Sequence, residues 1–426
     1  MARFLLSTGT VPGHINPTRI ICRKIIERGH EVVWITSKIN RKTIERTGAI
    51  FHPLPDRIDR GNKSIYEFYP ELANLKGVKQ VKWYIKHMFL DNAPYLVKAI
   101  DSILKDYKAD ALVGDTIAFG LFFQAELLQM PSAMISLLPL SLTSQDTAPF
   151  GLGLTPGNNF ITTVRNKILN YFTNCIIFKD VNKYANQKRA ELGLPAFRKP
   201  FLRQIFEIPS IVMQISTPAF EYQRRDQPDN LRFIGPILIK KDPAFSCPLW
   251  WNELKKNKVI LINQGTVATD LKNLIIPAIE ALKNEDYMII AVPVKDGESA
   301  HLPGNTRNVK IAQFIPFGNL LPYVDVMVTN GGYGGTQLAL AHGIPLLVAG
   351  QTEDKMEVAA RVQWSKAGIR IKGRVIPEDI KKKVEELLTN PTYKKNAERI
   401  KADFSKYDAL ENTSILLEEL ISPPKV

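Results

Sequence analysis

Cysteine is scarce. Cys22, Cys175 and Cys247 are the only three in 426 residues, far apart and without CxxC spacing, which excludes a disulfide or zinc framework and predicts free thiols in a reducing cytoplasm. No stretch approaches twenty apolar residues, so no transmembrane helix is expected. The first apolar run is a few residues long and breaks into Thr, Gly and Pro, unlike a secretory signal. There is no Asp-x-Asp pair and no cluster of His, Cys and Asp at ligand spacing, so no metal is expected. A stripe of aromatics interleaved with basic residues, of the kind that single-strand binders use, is also missing. The net charge of +14 is carried by lysines spread among acids, as in "KDYKAD" and "IKKKVEELL". That argues against a nucleic-acid partner and leaves open weak docking on an anionic membrane.

What is present is an alternation of β-branched runs and amphipathic stretches. It predicts an α/β fold with two doubly wound, Rossmann-like domains. In the first half the strands are "RFLLST", "EVVWIT", "ALVGD", "SAMISL" and "IVMQIS", with a helix over Ile15–Arg28 that Gly29 stops. His30 is then an ordinary residue after the cap. Residues 141–205 read as irregular around a basic amphipathic helix near Val164–Phe178, suited to a lid or insertion. "RFIGPILIKKDPAFSCP" has the composition of a linker. A second series runs through "KVILINQGT", "YMIIAVPV", "VKIAQFI", "DVMVTNGG", "IPLLVAG" and "GIRI". The expected division is 1–235, a linker at 236–250, 251–405, and a terminal helix at 406–426 packing back on the first domain. Ligands of such folds bind outside the carboxyl ends of the strands, so a cleft between the domains should hold the site.

Two stretches carry chemistry. "STGTVPGHINP" at 7–17 places His14, one of six histidines, beyond the first strand, and Asp115 ends "ALVGD" at the same sheet edge. A neutral imidazole held by a carboxylate is a general base near neutral pH; the residues alone equally allow two helix caps. "VTNGGYGGTQLALAHG" at 328–343 runs from a strand through Asn330, Gly332, Gly334, Gly335 and Thr336 into a helix. Glycine N–H groups and a helix N-terminus suit a diphosphate, although the register is neither GxGxxG nor a P-loop. His342 sits in the last helical turn, where a cation suits the dipole. His52 and His301 have no local motif, and His87 in "VKWYIKHMF" is an acceptor-pocket candidate.

With "LVGDT", "RFIGP", "NQGT" and "AQFIPFGNLLPYVD", these stretches make nearly the whole chain resemble the nucleotide-sugar-dependent glycosyltransferases of the GT-B fold. The similarity is to the branch of UDP-glycosyltransferases and macrolide glycosyltransferases that modify small lipophilic acceptors. The resemblance implies His14 as base and Asp115 as its partner. It implies Gly265, Thr266, Asn330, Gly332, Gly334 and Gly335 around the diphosphate, Phe314 and Ile315 at the nucleobase, and Glu353, Asp354 and Lys355 toward the sugar. Four positions depart from the pattern. Phe314 replaces a Trp, Asn330 a His, Leu338 a ribose-binding Glu, and Lys355 a Gln; Lys355 could also simply bridge to Glu353. The implied activity is inverting, metal-independent transfer of a hexose from a UDP- or TDP-sugar to a small-molecule hydroxyl, without further cofactor, by a monomer or homodimer. A UDP-sugar epimerase and a nucleotide-sugar binding protein without turnover are the alternatives.

Overall fold

The structure is a computed structural model that describes residues 1–157, 159–265, 270–293, 302, 308–350 and 354–422. Two parallel sheets carry it. The first holds β1 (Arg3–Ser7), β2 (Glu31–Thr36), β3 (Ile50–Pro53), β4 (Ala111–Asp115), β5 (Ser132–Ser136), β6 (Ile211–Gln214) and β7 (Leu231–Phe233). Its seven strands lie in the order β3-β2-β1-β4-β5-β6-β7. The second holds β8 (Lys258–Asn263), β9 (Tyr287–Val292), β10 (Val309–Ile311), β11 (Val326–Thr329), β12 (Leu346–Val348) and β13 (Gly368–Arg370). Their order, β10-β9-β8-β11-β12-β13, repeats that of the first sheet. Both are the doubly wound arrangement, whose strand order reverses at one switch point. In the first sheet that point lies between β1 and β4, in the second between β8 and β11.

The strands read as near-continuous apolar runs because helices cover both faces. Every residue of β4 is buried, and β1 sends Phe4 and Leu6 into one core layer and Leu5 into the other. Two short strands escaped the sequence reading. β3 ("IFHP") has an exposed first residue and partly buried ones after it, so it lacks an apolar signature. β7 ("LRF") is three residues long and runs into the start of the stretch with linker composition, just before the linker bounds of 236–250, and it pairs with β6 at the sheet edge. The region 141–205 is also more regular than expected. It holds the helix Phe160–Tyr171, a π-helical continuation Phe172–Ile177 and the helix Lys179–Glu191.

A buried charge network joins the two halves. The Arg361 guanidinium donates to both Glu221 oxygens, at 2.7–3.0 Å, and to Glu357 Oε2 at 3.1 Å. Glu357 Oε1 in turn accepts from the Gly151 and Gly153 N–H groups at 2.9 and 2.8 Å. Arg224 adds a second guanidinium to Glu221. Removing one member would leave an uncompensated buried charge, at a cost of about 3–5 kcal/mol, so this network fixes how the sheets face each other. The chain then returns to its beginning. The last helix, Ala409–Ile421, packs along Pro12–Glu27, with Arg28 forked between Glu411 and Glu418 at 2.7–2.8 Å. His30 ties in there, accepting from Ala2 N–H at 3.1 Å and meeting Glu418 at 3.0 Å. Its role is structural.

Candidate active site

The first helix begins earlier than its periodicity suggested. Pro12 occupies its first position, with Val11 as the extended cap residue; proline is pre-organised for that place and has no N–H to leave unpaired. His14 therefore sits within the first turn of the helix, not in the loop before it. β1 and β4 are neighbours, with Ser7 opposite Gly114, so the residues following each strand meet at the switch point. Asp115 is fully buried there. Its Oδ2 accepts from Gly9 N–H at 2.6 Å and lies 2.6 Å from His14 Nδ1, while Oδ1 accepts from Ile117 N–H at 3.1 Å. A carboxylate can only accept, so Nδ1 carries the proton and Nε2 keeps its lone pair. The helix that follows, Phe119–Leu128, has no side-chain cap, which rules out the capping role for Asp115.

Burial pushes the His14 pKa down, but the charge and hydrogen bond of Asp115, with a contribution from Asp354, outweigh it and leave the imidazole above its ordinary value. Asp354 belongs to the other half of the chain, and Gln214, the last residue of β6, donates to the Tyr333 hydroxyl at 3.3 Å, so the carboxyl ends of the two sheets face each other. Residue 9 matters as well. A Cβ at Gly9 would stand 2.9 Å from His14 Cγ and 2.8 Å from Ile117 Cδ1, so the ring has its place only because that position is glycine. The sequence reading did not single Gly9 out, although it lies in the quoted motif.

Beside this pair is a cavity of about 140 Å³, lined by Thr8–Val11 and by apolar groups that include Leu54, Ile58, Phe68, Met88, Phe89 and Phe119. His87 is not among its walls; it meets Asp91 Oδ2 at 2.8 Å on the other side of its helix.

The second sheet offers a different chemistry at the corresponding place. Asn263, the last residue of β8, is opposite Thr329 of β11, so Gly265 and Asn330 come together. A Cβ on Gly265, whose φ is +78°, would lie 3.2 Å from Asn330 Oδ1. Asn330 is only 6% exposed, yet among the described residues neither its Oδ1 nor its Nδ2 has a hydrogen-bond partner. Such a group is costly to leave unpaired and marks a place for a polar guest. Gly332 caps the helix Tyr333–Ala341, and Gly334 and Gly335 form its first turn. Around Gly332, Gly334 and Gly335 a Cβ would meet nothing within 4 Å. First-turn N–H groups have no partner within a helix, and the glycines put no side chain beside them.

Residues 276–411 match the family described as "Erythromycin biosynthesis protein CIII-like, C-terminal domain". The chain is 39% identical to the 4'-demethylrebeccamycin synthase of Lentzea aerocolonigenes, over 99% of this chain and 100% of that protein. It is 31% identical to UDP-glycosyltransferase 2 of Phaeomoniella chlamydospora, over 98% and 95%. The chain belongs to the UDP-glycosyltransferase family. The solved structure of a calicheamicin glycosyltransferase superposes on all of it with a TM-score of 0.78 at 16% identity, over 100% of each chain, so the fold is GT-B. Membership in this transferase family sets the epimerase reading aside.

Within this glycosyltransferase the expected residues are placed unequally. His14 and Asp115 are brought together, and Gly265, Asn330, Gly332, Gly334 and Gly335 gather at the second switch point. Phe314, 76% exposed, presents a free ring face, and Ile315 turns its side chain into the core and leaves only backbone for a ligand. Thr336, in the first turn of the same helix, is buried like Asn330, and among the described residues its hydroxyl too has no hydrogen-bond partner. Lys355 is buried at the start of the helix Lys355–Trp364, and Leu338 is a core residue. Thr266, Glu353 and His301 lie outside the described residues, and with Glu353 the bridge to Lys355. His342 stands just past its helix, and burial with Lys401 and Lys241 nearby lowers its pKa, so it is not the cation expected there. Among the described residues no three His, Cys, Asp or Glu side chains converge as metal ligands, and no helix is long and apolar enough to cross a membrane.

Proposed function

We propose that this glycosyltransferase moves a hexose from a nucleoside diphosphate sugar to a hydroxyl of a lipophilic small molecule, with inversion and without a metal. The observation that carries this reading is the His14–Asp115 contact of 2.6 Å beside an apolar cavity. The acceptor lies in that cavity with its hydroxyl donating to Nε2. As the proton passes to His14, the acceptor oxygen attacks the anomeric carbon from the side opposite the diphosphate, whose C–O bond breaks. The imidazolium so formed is stabilised by Asp115. The departing charge goes to the first-turn N–H groups of Tyr333–Ala341, to that helix's N-terminus, worth about half a positive charge, and to the Asn330 amide. Those groups take the place a divalent cation would otherwise fill.

Asp115→Asn tests the pair. An amide cannot accept from Gly9, His14 and Ile117 together, so part of the cluster is lost and the melting temperature drops somewhat. With the carboxylate's charge gone, the main cause that raises the His14 pKa is gone too. The acid limb of kcat/KM against pH should then move to lower pH while the plateau falls by more than about tenfold. A lower melting temperature with an unmoved acid limb would reduce Asp115 to a structural residue.

Carrier choice follows from Leu338. No carboxylate waits there for a ribose 2′-hydroxyl, so TDP should bind nearly as well as UDP. Competition titration decides it: a UDP preference above about a hundredfold, near 2.8 kcal/mol, contradicts this reading.

A further inference from the structure

The helix Phe160–Tyr171 and its continuation Phe172–Ile177 are built inside out. The buried side chains of the first part are two asparagines. Asn166 Nδ2 donates to Asp146 O at 2.8 Å, and Asn170 Nδ2 donates to Ser144 O and Thr147 O at 2.8 and 2.9 Å. The outward side carries Phe160 at 82% and Ile161 at 76% exposure, followed by exposed Ile168, Tyr171, Phe172 and Ile176. A surface helix ordinarily turns its apolar stripe to the core and its polar residues to water. Here amide hydrogen bonds hold the polar side down and the apolar side is bare, over a length typical of a binding surface rather than of scattered exposed residues.

The charge pattern says what covers it. Arg165, Lys167 and Lys179 accompany this face, and no Asp or Glu occurs between Asp146 and Asp180. A second copy of the chain would set the same cations against each other with no carboxylate in the segment to meet them, on a protein of net charge +14. We propose that this face docks on an anionic lipid bilayer, with the helix lying in the headgroup layer, its isoleucines and phenylalanines in the acyl boundary and Tyr171 at the level where tyrosine favours membranes. The docked segment leads into Lys179–Glu191, which packs on the helix Tyr84–Leu90, and Met88 and Phe89 of that helix line the apolar cavity. A lipophilic acceptor dissolved in the bilayer would thus be one layer of helices from the cavity. That last step rests on the acceptor reading above; the docking does not.

Cys175 lies exposed on the same segment, Cys22 is buried, and Cys247 can be removed as Cys247→Ser. An environment-sensitive dye on Cys175 therefore reports this face alone. The full chain should sediment with vesicles of phosphatidylcholine containing about 30% phosphatidylglycerol, with a blue shift of the dye, and much less with phosphatidylcholine alone. Ile168→Glu with Phe172→Glu should weaken binding at least about tenfold and abolish the shift, with circular dichroism and turnover of a water-soluble phenol unchanged. Lys167→Gln with Lys179→Gln, which leaves the apolar face intact, should weaken binding to the anionic vesicles only. The proposal is overturned if the wild type ignores anionic vesicles, or if the folded Glu variant binds them equally. It is also overturned if light scattering shows a dimer that the Glu variant dissolves, which would give the face to a second copy.

Discussion

Replacing His14 with alanine is expected to lower kcat by roughly two to four orders of magnitude, the usual contribution of a general base, while UDP binds as it does to the wild type. The separation follows from the layout. His14 stands at the switch point of the first sheet and the groups proposed for the diphosphate at that of the second, so the substitution removes Nε2 and leaves Gly265, Asn330 and the Tyr333–Ala341 N-terminus untouched. The fold should survive, because the helix Pro12–Glu27 keeps its proline start and its buried residues Ile15, Ile21 and Ile25. The pH profile supplies an independent check. In the wild type the base is active only when neutral, and its pKa lies above the ordinary histidine value, so kcat/KM should fall as pH drops through that raised value. In the alanine variant that limb should vanish from what rate remains. Steady-state kinetics together with calorimetric titration of UDP would check both halves. Turnover near the wild-type level would mean that the proton leaves by another route, and His14 would then be a packing residue of the helix start.

The sequence made legible what is local. His14 beyond a strand and Asp115 at the end of another needed only the periodicity of parallel α/β units, since consecutive units put their strand ends on one edge. The glycine turn after β11 was legible for the same reason, as a run of small residues between a β-branched strand and a helix. What stayed hidden depends on contacts across long separations. Glu221 and Arg361 meet across the two halves through a bidentate ion pair, and nothing near either residue announces the other. Gly9 escaped because its importance is an absent atom, visible only when the His14 ring is seen to fill the space. The helix Phe160–Tyr171 was recognisable as basic and amphipathic, but which side faced the protein was decided by Asn166 and Asn170 finding backbone carbonyls, and an apolar count assigns that side the wrong way round.

Gly334 offers the sharpest separation between a diphosphate cradle and a mere turn. It is exposed, second in the helix Tyr333–Ala341, with open space where a Cβ would stand, and it is not among the glycines held at positive φ. Valine therefore fits the backbone, and its helix propensity is no worse than that of glycine, so Gly334→Val should fold normally by circular dichroism and melting temperature. Its two methyl groups would occupy the space over the first-turn N–H groups, where phosphate oxygens must come within about 3 Å to be bound. UDP affinity should fall at least about a hundredfold, close to 2.8 kcal/mol, and uridine, which carries no phosphate and can stack on exposed Phe314, should keep its weak affinity. Gly331 is the control. Its φ is +89° and a Cβ there would lie 2.6 Å from Val348 Cγ1, so Gly331→Val should destabilise the domain and lose UDP and uridine together. If the glycines only form the turn, the two variants should behave alike. If folded Gly334→Val binds UDP as tightly as the wild type does, the diphosphate is held elsewhere, and the unpaired Asn330 amide must answer to a different ligand.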